Sequence, residues 1–303
     1  MTNQNKKTIA VVGATGRQGG GVVRALQEQG IFRVRALTRH PERHPGLADE
    51  VVGADLTRPE TLAGAFAGAH GVFVVTNFWE HHHGEIEQCR AAVEAARAAG
   101  VDHFIWSTLP NVEAISGGKF EVPHFTEKAQ ANAIVSAAGF PHHTFVEAPF
   151  YFQNLLTMMG PMPQEDGSRA WVLPLDPSVR CVHMGDIDEL GSVVAGAFAN
   201  PEKVGHGEIL SLCGSLVSFD DVVAAYRAQG QEVGYRQVPA AVFANFFPGA
   251  GEIAEMLGYF QAHTYMGPDA EAKIALARSV ATRPATDLVS WLGANLPASG
   301  SAS

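Results

Sequence analysis

The chain has 303 residues, enough for one large domain or for a domain carrying a smaller lobe. Apolar residues make up 46% and charged ones 17%, the balance of a folded protein with ample core, and no apolar run reaches the roughly 20 residues that cross a bilayer. A net charge of −10 argues against nucleic acid as the main partner, because phosphate backbones are bound by clustered Lys and Arg.

The leading MTNQNKK runs directly into an apolar strand and carries no signal-peptide pattern, so a cytoplasmic protein is expected. TIAVVGA (8–14) predicts a fully buried strand and GGGVVRALQEQG (19–30) a helix that stops at Gly30. Strands follow at 33–39 and 50–56, then a helix over 59–69 that opens with Pro where a helix tolerates it. GVFVVTN (71–77) predicts the fourth strand, 84–100 a strong helix with a Gly stop, and HFIWSTL (103–109) the fifth strand. EVPHFTEKAQANAIVSAAG (121–139) has helical spacing to Gly139, and HHTFVEAP (142–149) predicts a sixth strand ended by Pro149.

This alternation of apolar strands with helices predicts an α/β chain: a Rossmann-type doubly wound parallel sheet with helices on both faces. After Pro149 the pattern loosens. Residues 160–179 are rich in Pro, Gly and Asp and read as loops with short strands. A helix over 186–201 is capped by Asp186, 207–214 reads as a strand, 218–230 as a helix capped by Ser218, and the chain is mostly helical from Pro239. The expected division is a nucleotide-binding domain over 1–150, a smaller α+β lobe over 151–295 that may return a strand to the sheet, and a flexible tail over 296–303. Cys89, Cys181 and Cys213 are far apart and form no CxxC, so they read as buried free thiols.

VVGATGRQGGG carries Gly13-x-x-Gly16-x-x-Gly19 directly after a buried strand and at the opening of a helix. Gly13 permits the tight turn, Gly16 lets backbone approach a pyrophosphate, and Gly19 lets the helix pack close to the strand. The helix N-terminus then offers free N–H groups to the phosphates. The end of the second strand selects the cofactor. LTRHPER places Arg39 there and no acid before Glu42, and a guanidinium suits a 2′-phosphate; Arg17 in the Gly loop is a second candidate. NADP(H) is therefore expected over NAD(H). Asp55, followed by Leu56 in GADLT, either receives the adenine amino group or caps the turn before Pro59. Thr76, Asn77 and Phe78 end the fourth strand, on the ligand side of such a sheet.

GxxGxxG with Thr15 ahead of the second Gly resembles the extended and atypical branches of the short-chain dehydrogenase/reductase superfamily. Together with VRALTRHPE, FVVTNFWE, HFIWSTLPN, HFTEKAQ, PFYFQNLL and FPGAGEIAEML, it makes the chain resemble the NmrA-like family from residue 13 to about 260, and within it the vertebrate NADPH-sensor branch. The resemblance implies NADP(H) held by Gly13 to Gln18, Arg39, Asp55, Thr76 to Phe78, Lys128 and the loop from Pro149 around Tyr151 and Asn154. It implies that some relatives sense the NADPH/NADP+ ratio through assembly or partner binding rather than catalyse.

Active members of that superfamily resemble one another in a Ser ending strand five and a Tyr-x-x-x-Lys on the next helix. Ser107 matches the Ser, with Thr108 beside it as a substitute, and Lys128 the Lys; the Tyr position is His124. Residues four apart share a helix face, so His124 and Lys128 point into one crevice. The neighbouring Lys is expected to disfavour imidazolium and leave His124 a poor acid. His124 is equally read as a structural residue at a helix start after Pro123. Reductases resembling isoflavone reductase also lack the Tyr and keep the Lys.

Two functions follow from this machinery. One is an NADP(H)-binding, redox-sensor-like protein with a protein partner and weak or absent dehydrogenase activity. The other is an NADPH-dependent reductase of an apolar small molecule such as a quinone, imine, enone or carbonyl. The His run of EHHHGE (80–85) cannot place three ligands on one helix face and reads as a polar lip over the crevice rather than a metal site. His142 and His143 read as turn and edge residues, and a homodimer stays open as the assembly.

Overall fold

The computed structural model describes residues 6–80 and 84–296. The His run at 81–83 and the tail at 297–303 lie outside the described residues. Along the first half run β1 (Thr8–Val11), α1 (Arg17–Gln29), β2 (Arg33–Thr38), β3 (Glu50–Gly53), α2 (Leu62–Phe66), β4 (Gly71–Val74), α3 (Glu85–Ala98), β5 (His103–Thr108), α4 (Val112–Ser116), α5 (Pro123–Gln130), α6 (Asn132–Ala137) and β6 (His142–Glu147). The second half holds β7 (Phe150–Tyr151), β8 (Met162–Pro163), β9 (Arg169–Leu173), β10 (Val182–Gly185), α7 (Leu190–Ala199), α8 (Pro201–Val204), β11 (His206–Ser211) and β12 (Ser215–Val217). It closes with α9 (Phe219–Ala228), β13 (Gly234–Gln237), α10 (Ala240–Phe243), α11 (Ala250–His263), α12 (Ala270–Arg278) and α13 (Leu288–Asn295).

Seven strands make one parallel sheet in the order β11-β6-β5-β4-β1-β2-β3. Strand order reverses at β1, which pairs with β2 on one side and β4 on the other. In such a sheet ligands bind beyond the carboxyl ends of the strands at that reversal. The strand expected at 207–214 is β11, which joins the sheet outside β6 with its register broken between His206 and Ile209.

Both sheet faces are covered. α1 and α7 pack on one, in a core that includes Ile9, Val22, Leu26, Phe73, Val194 and Leu210. α2, α3 and α6 pack on the other, around Leu62, Phe66, Cys89, Phe104, Trp106 and Val135. The crossing of α1 and α7 is set by glycine: a Cβ on Gly191 would stand 2.1 Å from the Gly21 carbonyl oxygen. Such backbone approach leaves no room for a side chain. The later residues build a third core around Phe152, Trp171, Phe219, Tyr259, Phe260 and Trp291, beneath two three-stranded sheets, β12-β10-β7 and β13-β9-β8.

The helix expected over 121–139 is two helices parted at Ala131. The buried Ala131 carbonyl accepts from Ile134 N at 3.0 Å and from Val135 N at 3.3 Å, and the Cys89 thiol also reaches it at 3.8 Å. The added three-residue bond marks the local tightening where α5 gives way to α6. Caps follow the sequence: the Asp186 side chain accepts from Asp188 N, and Ser218 forms a capping box with Asp221. All three cysteines are free and buried, and burial pushes the Cys89 and Cys181 thiols up to about 12 and Cys213 to about 11.

Candidate functional site

The site begins with the turn from β1 into α1. Gly13 has φ +68, a left-handed conformation, and the residue that follows β4 is close enough that a Cβ would stand 2.9 Å from Val75 Cγ1. Gly16 N donates to the Gly13 carbonyl at 2.9 Å and closes the turn. A Cβ on Gly19 would stand 2.2 Å from the same carbonyl oxygen, so glycine is required there for the helix to start where it does. Gly16 is the N-cap of α1, no side chain caps that end, and the first turn has no acid. Thr15, Gly16 and Arg17 are exposed. An open, positively polarised helix end behind a Cβ-free turn fits a pyrophosphate.

Gln18 is the hinge of a polar chain that crosses the crevice. Ser107 Oγ, at the end of β5, donates to Gln18 Oε1 at 2.7 Å, and Gln18 Nε2 donates to the Tyr151 phenol oxygen at 2.9 Å. Burial pushes the Tyr151 phenol up, against the opposing effect of its Gln18 bond. Sequence reasoning placed Ser107 with the Lys and His of α5; the structure places it with Gln18 and a Tyr from another element. The signal for this was strand adjacency: β5 and β6 pair in register, Ser107 with Val146, so the segments following the two strands emerge side by side.

The segment after β4 faces α5. The buried Lys128 ammonium donates to Thr76 Oγ1 at 2.7 Å, to the Thr76 carbonyl at 3.1 Å and to Glu85 Oε1 at 2.5 Å. Thr76 Oγ1 donates to the same Glu85 oxygen at 2.6 Å. Glu85 is the first residue of α3 and is 1% exposed, so the helix end helps hold its charge. Burial pulls the Lys128 ammonium below its usual range, and Glu85 opposes that pull. The Lys128 carbonyl is fixed from below by Trp106 Nε1 at 3.1 Å and Thr108 Oγ1 at 3.3 Å.

His124 lies one turn earlier on α5. Its Nδ1 bonds to Glu252 Oε1, from the first turn of α11, and its ring lies 5.1 Å from that of Trp79 and 5.9 Å from that of Phe78. A carboxylate only accepts, so Nδ1 carries the proton in this pair and Nε2 is the second ring position. Lys128 has its own carboxylate in Glu85, and His124 has a second one in Glu252. Sequence reasoning missed both acids. Glu85 reads only as the end of the EHHHGE lip, and Glu252 is 128 positions from His124.

The remaining candidates spread along the carboxyl edge. Arg39, half exposed, forms an ion pair with Glu80, and that hydrogen bond raises its guanidinium further. Asp55 Oδ1 accepts from Thr57 N at 2.9 Å and Thr57 Oγ1 at 2.7 Å, which is the turn-capping role. Leu56 packs at the edge of the core beneath α2 and α3. Thr76 and Phe78 are buried and Asn77 is exposed, its side chain accepting from Trp79 N at 3.2 Å. Pro149 is buried against Gly185, and the Asn154 carbonyl accepts from Thr157 and Met159 in the turn after β7. Among the described residues no cluster of His, Cys, Asp and Glu is arranged to hold a metal ion, and no helix is long and apolar enough to cross a membrane.

A family model described as NmrA-like matches residues 5–292. An NmrA-like family domain-containing protein of Dictyostelium discoideum is 30% identical over 84% of this chain and 87% of its own length. The oxidoreductase FrzB of Cladobotryum sp is 32% identical over 76% of each chain. Among solved structures, that of NmrA, a negative transcriptional regulator, is 25% identical over 96% of this chain and 95% of its own; its TM-score is 0.81 in complex with NAD and 0.80 in complex with NADP.

Proposed function

The chain belongs to the NmrA-like family, and from that membership and the geometry of its crevice we propose that it binds NADP(H) as a redox-sensor-like protein, not as a dehydrogenase of ordinary carbonyls. One observation carries this reading. The position that would hold a proton-donating Tyr is His124, tied to Glu252, and the Lys four residues on is spent on Glu85 and Thr76. Neither side chain is left in the Tyr–Lys arrangement that carbonyl reduction uses.

The Gly13–Gly19 turn and the open end of α1 would hold the pyrophosphate, Arg39 the adenosine end, and the segment 76–78 the ribose between. A nicotinamide there supplies or accepts a hydride. The Gln18 bridge between Ser107 and Tyr151 and the Thr76–Glu85–Lys128 group would line that end with polar contacts already fixed by the fold. NmrA has been solved with both NAD and NADP, which supports a dinucleotide ligand.

A second reading rests on a separate observation. His124 presents an imidazole backed by a carboxylate and walled by Phe78 and Trp79, an arrangement suited to giving a proton to an apolar acceptor such as a quinone or enone. The relative FrzB, named an oxidoreductase, supports it.

Two measurements separate the readings. Sizing with NADPH and with NADP+ gives different assembly states for a sensor, and NADPH oxidation against quinones, imines, enones and aldehydes stays at background. Unchanged sizing, with turnover that Lys128→Ala abolishes, would replace the sensor by the reductase.

A further inference from the structure

We propose that Glu80 sets the choice between NADP(H) and NAD(H) by holding Arg39. The proposal rests on the dinucleotide reading above and goes beyond it by naming the residue that tunes selectivity.

The end of β2 carries a cation and no acid, and on sequence alone that favours a 2′-phosphate. The structure delivers the acid from elsewhere. Glu80 lies 41 positions along the chain, past β4, and its Oε1 accepts from Arg39 Nη1. Since β1 lies between β2 and β4, the pair joins the segments that follow the two strands flanking β1. Glu80 is positioned by its own turn: Glu80 N donates to the Asn77 carbonyl at 3.3 Å, and Asn77 Nδ2 stands 3.5 Å from Glu80 Oε2. Arg39 also feels Asp55, whose carboxylate is turned onto Thr57. Arg39 thus faces two acids, and Glu80 is the one bonded to it.

A guanidinium offers its fork to a carboxylate or to a phosphate, and the two compete for the same donors. The 2′-phosphate of NADP must either displace the Glu80 carboxylate from Arg39 or take the remaining guanidinium donors beside its negative charge. The adenosine ribose of NAD brings only hydroxyls there. It leaves the ion pair standing and finds in Glu80 an acceptor, the role an acid at the end of β2 has in NAD-selective sheets. Glu80 therefore lowers NADP affinity relative to NAD, against the pull of Arg39.

The test is the selectivity ratio, Kd for NADH over Kd for NADPH, from fluorescence titration of the full chain and of E80Q and E80D at low salt. E80Q removes the charge at nearly constant shape, so the ratio rises at least about threefold, with the gain on the NADPH side. E80D keeps the charge on a shorter arm and gives a ratio between the other two. An unchanged ratio in E80Q, a loss of NADPH affinity, or an equal weakening of both dinucleotides would overturn the proposal; the last would mark a role in folding only. Binding of neither dinucleotide by the unmodified chain would instead overturn the dinucleotide reading.

Discussion

The Lys128 ammonium lies 2.5 Å from Glu85 Oε1 in a place where Glu85 is 1% exposed. Removing one member of a buried pair leaves the other charge without compensation, which costs about 3–5 kcal/mol. Glu85→Ala should lose that much stability in urea unfolding, and Glu85→Ala with Lys128→Met should recover most of it. If the double variant is no more stable than Glu85→Ala, the pair is not coupled as described.

The third glycine of the motif admits no side chain. Gly19→Ala places a Cβ where the Gly13 carbonyl stands 2.2 Å away, and Gly191→Ala does the same against Gly21 at 2.1 Å. Each should destabilise the fold by about 1–3 kcal/mol through forced backbone shifts. The two should differ in ligand response. Gly19→Ala should abolish NADPH-dependent stabilisation in thermal melts, whereas Gly191→Ala, on the far side of α1, should lower the melting temperature and keep the NADPH-induced rise.

Acid should weaken the protein from about pH 6.5 downward. His103 is buried, and desolvation together with the nearby His142, His70 and His143 pushes its imidazole down to about 3. Burial and Lys273 push His183 to about 4. Thr144 Oγ1 gives its proton to the Val204 carbonyl at 2.6 Å, so His103 Nε2 must donate to Thr144, and its Nδ1 has no hydrogen-bond partner among the described residues. Folded, both rings stay neutral while the unfolded chain binds protons below about pH 6.5, so stability falls as pH drops, by about 1.4 kcal/mol per pH unit for each group. His103→Gln should reduce the slope of stability against pH by about one proton between pH 6 and 4, measured by urea unfolding at a series of pH values.

Under the reductase reading, His124→Asn should lower acceptor-dependent NADPH oxidation about 10²-fold or more while NADPH affinity changes less than about threefold. Under the sensor reading the same variant should leave sizing with NADPH unchanged, because His124 then only ties α5 to Glu252 of α11.

Much of the frame was legible in the sequence. The parallel sheet follows from apolar runs alternating with helical spacing, and the Gly turn from glycines that have no substitute at 13 and 19. Ser218 and Asp186 declared their caps because capping is local. What was not legible was every contact closed through space by a segment with its own local explanation. Glu80 and Glu85 read only as the ends of a polar lip and Glu252 has no assigned role, yet they meet Arg39, Lys128 and His124. Periodicity reports which face a residue takes and says nothing of which distant side chain arrives opposite. The contact of the Cys89 thiol with the Ala131 carbonyl is of the same kind, since the thiol comes from α3.

The place of β11 outside β6 bears on how the chain is made. His206 pairs with His143 and Ser211 with Glu147, so β6 has a bare outer edge until the ribosome has delivered the residues between. At about 5–20 residues per second the nascent sheet waits for seconds with an apolar strand open to pairing with a neighbour. A gene fragment ending near residue 150 would carry the whole Gly motif and lack the strand that closes this edge. It should be recovered as aggregate, whereas one that extends past α12, which packs against β11, keeps the edge covered.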